Sequence, residues 1–198
     1  FYYFFWEEKL TSFDKDLNKN PSNFIPLSPI TFLERTKDVY PDYEAIIYQD
    51  RTYTWKQVYD RSIQFASALE KNGIGLGDTV SILAANTPEL FEAHYSIPMT
   101  GAVINTINIR LDPQTIAYIL EHSDAKLFIV DTQFSPIVKK ALELIQKKIP
   151  IIDIVDIKAQ LKDDEGEKLG EWTYEEFLKL GEKNYKWKRP KDEWQAIS

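Results

Sequence analysis

Short apolar runs alternate with amphipathic stretches through the middle of the chain. Between Asp78 and Asp131 the pattern reads strand, helix, strand, helix, strand, with apolar runs at 80–84, 102–107 and 127–130. Strands this short and apolar, when they alternate with helices, are typical of a parallel sheet covered on both sides. The sequence therefore predicts an α/β fold with an open, mostly parallel sheet and helices on both faces.

Capping residues mark the predicted helix starts. Thr87 and Asp112 each stand directly before a proline, and Thr54 is followed three residues later by Gln57, as a capping box requires. Gly73 supplies a stop for the helix that Thr54 begins. Further helices are predicted at 30–39, 135–147 and 174–180, a hairpin at 45–48 and 52–53, and a fourth strand at 151–157.

The two ends of the chain differ from this regular pattern. Residues 1–26 combine an aromatic stretch, a polar run and prolines, and we expect a partly irregular lead-in segment there. The chain does not begin with Met, and its closing DEWQAIS resembles the approach to another strand. These features favour a translated fragment of a longer protein over a processed N-terminus.

Composition excludes several classes of function. The formal net charge is −7 and no dense basic cluster occurs, so nucleic acid is not expected as a partner. The absence of Cys removes disulfides and thiolate metal sites, and the two histidines lack metal-ligand spacing. No apolar run is long enough for a transmembrane segment. The sequence predicts neither a metal site nor a catalytic nucleophile–base pair.

The loops that follow the predicted strands are the expected ligand sites. In open parallel sheets, ligands bind outside the carboxyl ends of the strands. This rule selects the loops at 86–87, 108–112 and 131–135. In the middle loop, Asn108 offers an amide, Arg110 a positive charge suited to phosphate, and Asp112 a helix start. The alternative is that Asp112 only caps its helix and Arg110 is a surface charge.

The sequence resembles the N-terminal part of the AMP-forming acyl-CoA synthetases. This adenylating superfamily includes firefly luciferase and the adenylation domains of peptide synthetases. The resemblance begins near NFIPLSPITFLERT and extends to RPKDEWQAIS. The stretch IPMTGAVINTINIRLDPQTIAYILEHSDAK is most similar to the subgroup acting on short- and medium-chain acids, which includes plant acyl-activating enzymes and bacterial methylthiopropionate-type ligases.

The resemblance implies an acid–thiol ligase that uses ATP, CoA and Mg²⁺. Such an enzyme converts a carboxylic acid to an acyl-adenylate and then transfers the acyl group to CoA. Residues 27–198 would be the N-terminal part of the AMP-binding (adenylation) domain, truncated before a phosphate loop of the form YTSGTTGxPKG. The residues that carry catalysis in relatives have no matching positions in these 198 residues, so we expect the chain alone to be inactive.

The resemblance also implies where CoA would lie. In relatives the loop corresponding to Asn108, Ile109 and Arg110 lies beside the CoA nucleotide, and the turn around Ser135 borders the same site. These four residues are the expected cofactor-binding residues, although Ile109 and Arg110 stand where some relatives have glycines. The partners implied are a small carboxylic acid and CoA, in the cytoplasm or, alternatively, in peroxisomes or the mitochondrial matrix.

The sequence leaves two other functions open. The chain could be a non-catalytic module that binds CoA or a related nucleotide. It could also be a degenerate relic of the family or a non-catalytic partner, for which the aromatic N-terminus is the only indication in the sequence.

Overall fold

The computed structural model describes residues 20, 22, 24, 28–156 and 166–189. Nearly all of the lead-in segment and the closing DEWQAIS lie outside these residues. The helices of the described part are α1 Pro29–Val39, α2 Trp55–Lys71, α3 Pro88–Met99, α4 Pro113–His122, α5 Ser135–Leu142 and α6 Tyr174–Lys179. The strands are β1 Glu44–Tyr48, β2 Arg51–Thr54, β3 Thr79–Leu83, β4 Val103–Thr106, β5 Leu127–Asp131, β6 Ile151–Ile154 and β7 Trp172–Thr173.

Five of these strands form one parallel sheet in the order β4-β3-β5-β6-β7. The remaining two, β1 and β2, form an antiparallel hairpin. β3 stands between β4 and β5, so the chain first moves to one side of β3 and then crosses to the other. The α/β fold with an open parallel sheet, as predicted from the sequence, is confirmed.

Helices cover both faces of the sheet. On one face α2, α3 and α6 pack against strand residues such as Val80, Ile82 and Ile129. On the other face α4 and α5 pack against the alternate positions, among them Phe128 and Val130. The two-residue side-chain period of a strand explains why neighbouring residues of β5 enter different cores.

A third cluster joins the N-terminal elements to this layer. Ile30 and Leu33 of α1 pack with Val58 of α2 and Met99 of α3, and the side of the hairpin that carries Ile46 closes the cluster. The hairpin is thereby held beside the start of α3. Its Tyr48 hydroxyl donates to Asp156 at 2.5 Å, which places the hairpin turn near the carboxyl end of β6.

Two boundaries differ by several residues from the sequence predictions, and one strand was not predicted. The helix expected over 135–147 ends at Leu142, and the strand expected over 151–157 ends at Ile154. The two-residue strand β7, which pairs with β6, was not predicted. A strand of two residues is too short to show a periodic pattern of apolar and polar positions.

Candidate functional site

The candidate site lies along the carboxyl edge of the parallel sheet. The three loops selected from the sequence follow β3, β4 and β5, and these strands are hydrogen-bonded neighbours. Because the strands are parallel, the three loops meet at the same edge. The loop after β3 lies in the middle, between the loop that carries Asn108 and the loop that leads to Ser135.

The loop after β4 is a compact polar turn. The Asn108 side-chain oxygen accepts the N–H of Arg110 at 2.9 Å, and Leu111 N–H donates to the Asn108 carbonyl at 3.3 Å. These bonds hold the turn in shape while Asn108, Ile109 and Arg110 all remain exposed. Asn108 is therefore a turn former as well as an accessible amide.

Asp112 caps α4, as the sequence indicated. Its carboxylate accepts the Thr115 N–H at 3.0 Å and the Thr115 hydroxyl at 2.8 Å. The hydrogen bonds from the Thr115 backbone and side chain lower the pKa of Asp112. This carboxylate is committed to its helix, whereas the Arg110 guanidinium forms no ion pair within the described part of the chain.

An open cleft of about 530 Å³ lies between the loops after β3 and β4. Its lining combines the amides of Asn86 and Asn108 with the apolar side chain of Ile109, which is 38% exposed. The remaining lining residues are Ala84, Ala85, Thr106 and Ile107. A planar, polar-edged ligand could contact both amides and the apolar surface, and Arg110 follows directly along the chain. The arrangement is suited to binding rather than to bond-breaking chemistry.

Ser135 occupies a different environment from the loop at 108–110. It is fully buried, and its hydroxyl accepts the N–H of Glu167 at 2.9 Å. The Lys139–Glu167 ion pair holds the same segment over the start of α5. β3 separates the strand before Ser135 from the strand before Asn108. No hydrogen bond between the described residues joins Ser135 to that loop, so its role at the site stays a prediction.

A second cleft, of about 410 Å³, adjoins the first at Asn86. It lies between the hairpin and the start of α3, and its walls are mostly apolar, with Ile46, Ile47 and Phe91 among them. His94 is exposed at its rim, with Nδ1 2.8 Å from the Leu90 carbonyl of its own helix. His94 thus bonds within its own helix.

Sequence reasoning missed the buried carboxylates, among them Asp131 and Glu92. Asp131 ends β5 with 1% exposure, and Glu92 lies on α3 with 0% exposure. Burial raises the pKa of the Asp131 carboxyl, and raises that of Glu92 to about 7. For Glu92 the signal was its spacing from Glu89 and Ser96, which places all three on one helix face. For Asp131 it was a carboxylate at the end of the wholly apolar run LFIV.

The described residues hold neither a cluster of three or more metal-ligating side chains nor a helix that could span a membrane. Across 28–156 and 166–189, no group of three or more His, Asp or Glu side chains could hold a metal ion. No helix in these same ranges is long and apolar enough to cross a membrane.

Comparison with curated proteins identifies relatives that match nearly the whole chain. Acetate–CoA ligase CCL3 of Humulus lupulus is 44% identical over 191 residues, covering 92% of this chain and 34% of that protein. Acetate/butyrate–CoA ligase AAE7, peroxisomal, of Arabidopsis thaliana is 39% identical over 191 residues with the same coverage. The chain spans about a third of the length of these relatives.

Solved structures share the fold at lower identity. The anthranilate CoA ligase AuaEII, in complex with anthranoyl-AMP, matches with a TM-score of 0.76 at 23% identity. The match covers 87% of this chain and 32% of the ligase chain. The luciferase-like enzyme from the nonluminescent Zophobas morio mealworm matches with a TM-score of 0.73 at 20% identity. The match covers 88% of this chain and 41% of the mealworm enzyme chain.

A family profile completes the comparison. The profile described as AMP-binding enzyme matches residues 33–195, which is most of the chain. This range includes the parallel sheet, both of its helical faces and the loops of the candidate site. The family expected from the sequence is thereby confirmed: the chain belongs to the AMP-binding enzyme family.

Proposed function

We propose that this chain is the N-terminal part of an AMP-forming acyl-CoA ligase that acts on a short- or medium-chain carboxylic acid. The observation that carries the proposal is the 44% identity, over 191 residues, to a protein named as an acetate–CoA ligase. Residues 27–198 would be the first part of the adenylation domain, preceded by the lead-in segment 1–26.

The proposed reaction has two steps. The carboxylate attacks the α-phosphorus of ATP, which forms an acyl-adenylate and releases pyrophosphate. The CoA thiol then attacks the acyl carbon, releases AMP and loses its proton. A carboxylate is a poor electrophile, and adenylation gives it a good leaving group. Mg²⁺ would stabilise the charge on the phosphates during the first step. The described residues contain no group of three or more His, Asp or Glu side chains that could hold a metal ion.

The part of this chain that serves the reaction is the open cleft between the loops after β3 and β4. In our proposal the CoA nucleotide lies there, with its base against Ile109 and its phosphates near Arg110. Three features support this placement: the amides of Asn86 and Asn108, the exposed apolar surface of Ile109, and an arginine with no ion-pair partner among the described residues. Ser135 would border the site from the loop after β5.

Calorimetry with CoA tests this placement on the 198-residue chain. We expect Arg110→Ala to weaken CoA binding roughly tenfold, because a charged hydrogen bond contributes about 1.5 kcal/mol or more. Arg35→Ala is the matched control, since Arg35 is also exposed but lies on α1. Absence of heat for the wild type, or equal loss in both variants, would argue against a CoA site at this loop.

Isotope exchange between ATP and pyrophosphate tests the adenylation step. The 198 residues contain no Ser/Thr/Gly-rich segment of the YTSGTTGxPKG form, so we expect them to show no carboxylate-dependent exchange. A polypeptide extended with the sequence encoded beyond Ser198 should show exchange with acetate or butyrate. A stop codon directly after Ser198, without such a segment downstream, would leave the intact-ligase proposal without support.

Location in the cell is the least constrained part of the proposal. We propose the cytoplasm, with peroxisomes or the mitochondrial matrix as alternatives. The relative AAE7 is named as peroxisomal, and so is butyrate–CoA ligase AAE11 of Arabidopsis thaliana, which supports the peroxisomal alternative. Fluorescence microscopy of the extended protein, tagged internally so that both ends stay free, would decide between them.

A further inference from the structure

Between β3 and β5 the order of the strands reverses: β4 is added on one side of β3, and β5 and β6 are added on the other. The crevice between β3 and β5 marks this reversal. From β3 the chain leaves for α3 on one face, and from β5 it leaves for α5 on the other. Loops that diverge in this way open a gap at the carboxyl edge, where ligands of doubly wound sheets bind. Any group that spans this gap fixes the position of one loop relative to the other.

Asp131 spans the gap. Its Oδ2 accepts the N–H of Ala85, in the loop after β3, at 3.4 Å. Within its own loop, the same oxygen accepts the Gln133 side-chain amide at 2.8 Å, and Oδ1 accepts the Gln133 backbone N–H at 3.2 Å. All of these donors are neutral. A carboxylate that is 1% exposed and, among the described residues, bonded only to neutral donors is costly, which calls for a reason beyond local packing.

Local capping accounts for only part of these contacts. The bonds to Gln133 belong to the short 3₁₀ turn Thr132–Phe134, and a serine could provide an acceptor for its N–H. The bond to Ala85 is different, because it reaches a residue 46 positions earlier in the chain. Ala85 and Asn86 line the open cleft together with Asn108 and Ile109.

We propose that Asp131 is a positioning residue of the nucleotide cleft. It holds the loop after β3 so that Asn86 faces Asn108 and Ile109 across the cleft. This inference rests on the proposed function, since it assigns a role within the site proposed for the CoA nucleotide. Asp131 itself lies behind the lining, and it acts through Ala85.

The neighbouring strand provides a matched control. Asp153 of β6 is 0% exposed, and its carboxylate accepts the N–H groups of Leu169 and Gly170 at 2.8 to 3.1 Å. Burial raises its pKa in the same direction as that of Asp131. Its partners do not line the open cleft. Asp131→Asn and Asp153→Asn therefore remove the same kind of buried carboxylate from two strands, only one of which adjoins the cleft.

The experiment compares CoA affinity and stability in these variants. We expect Asp131→Asn to weaken CoA binding roughly tenfold, while Asp153→Asn costs similar stability and leaves the dissociation constant within about twofold of wild type. Asp131→Ser keeps a cap for Gln133 but cannot reach Ala85, so it should weaken binding as well. Unchanged affinity in both Asp131 variants, or equal loss in Asp153→Asn, would overturn the positioning role.

Amide hydrogen exchange and chemical shifts separate this inference from the proposed function. If the wild type does not bind CoA, the proposed site is wrong for this chain. The positioning role of the Asp131–Ala85 hydrogen bond is then tested through the exchange rates and chemical shifts of the Ala85, Asn86 and Asn108 amides. Faster exchange and altered shifts at these amides in Asp131→Ser but not in Asp153→Asn would support it. The same amides unchanged in Asp131→Ser would overturn it.

Discussion

The two faces of the sheet are stabilised by different physics. On the α4/α5 face the core residues are apolar, namely Leu83, Ile107, Ile116, Ala117, Leu120, Ala125, Phe128, Val130, Val138, Ala141 and Ile149. The buried carboxylate of Asp153 at this face accepts backbone N–H groups. The α2/α3/α6 face has an apolar core of similar kind, but buried charges lie beside it. The two faces therefore differ in their ion pairs: among the described residues, the pairs with a buried carboxylate lie beside the α2/α3/α6 face.

Arg61 is the centre of the charged group on the α2/α3/α6 face. Its Nε donates to Glu92 at 2.6 Å, and its terminal nitrogens donate to Glu175 of α6 at 3.1 and 2.5 Å. Nearby, Arg51 donates to Glu89 at 2.6 Å. Within the described residues, Oε2 of Glu89, Oε2 of Glu92 and the Tyr174 hydroxyl are buried without a hydrogen-bond partner.

The comparison shows that similar burial does not imply a similar contribution to stability. Apolar contacts contribute in proportion to the area removed from water. A buried ion pair must first overcome the desolvation of both charges, so it adds little net stability yet is costly to break. Arg61 links α2, α3 and α6 through two carboxylates, so its removal should cost more than the ion pairs contribute in net stability.

Phe128→Ala should have the largest effect. Phe128 is 0% exposed in the core of the α4/α5 face, and removal of such a side chain costs about 3–5 kcal/mol of the free energy of unfolding. Because no titratable group is involved, the loss measured by urea denaturation should be the same at about pH 6 and about pH 8. Phe32→Ala is the control, since Phe32 is 53% exposed. A loss that depends on pH would show that the removal of Phe128 also changes the environment of the buried Asp153 carboxyl.

Arg61→Met should come next, with a loss of about 3 kcal/mol near pH 8, because it leaves Glu92 buried without its counter-charge. This is the low end for a broken buried pair, since the Arg61 side chain is still 17% exposed. The second substitution Glu92→Gln should restore part of the loss, as measured by urea denaturation of the double variant. Losses that simply add would indicate that the two residues are not coupled.

Glu92→Gln alone tests the pH dependence of the charged face. Burial raises the pKa of Glu92 from 4.5 to about 7, although Arg61 lowers it. The folded protein therefore holds a proton that the unfolded chain has released, and this contribution to stability is fully present below pH 4.5 and lost as the pH rises through about 7. Wild-type stability should fall across this window relative to Glu92→Gln. Parallel curves for the two proteins would contradict the assignment. Glu89, Tyr174 and Glu175 are retained in both proteins, so the difference isolates Glu92.

Much of the fold could be predicted from local signals, because those signals act over a few residues. Thr54, Thr87 and Asp112 begin helices where the sequence placed them. The end of α5 could not be predicted in this way. Residues 143–147 suit a helix, yet the chain leaves α5 at Leu142 to reach β6 beside β5. Tertiary context overrides helix propensity there.

The candidate site was only partly predictable, because several of its contacts depend on tertiary structure rather than on local signals. The strand-end rule needs only strand order along the chain, so it found the loops that line the cleft. It could not show that Glu167 covers Ser135, because these residues are 32 positions apart. Nor could it show that Asp131 reaches Ala85 across the crevice, because that contact depends on β3 and β5 being neighbours.

The smallest predicted effect concerns the cap of α2, the helix that carries Arg61. The Thr54 hydroxyl accepts the Gln57 N–H at 3.3 Å, and the Gln57 side chain accepts the Thr54 N–H at 2.8 Å. Thr54→Ala should cost about 1 kcal/mol in urea denaturation, whereas Thr52→Ala, at the exposed position of the same strand, should cost less. Because both capping groups are neutral, the loss should not change with pH, in contrast to Glu92→Gln. If the stability lost in Thr54→Ala grew as Glu92 ionised, the start of α2 would be coupled to the Arg61–Glu92 ion pair, which lies about two helical turns away. The charged face would then respond to pH as one unit.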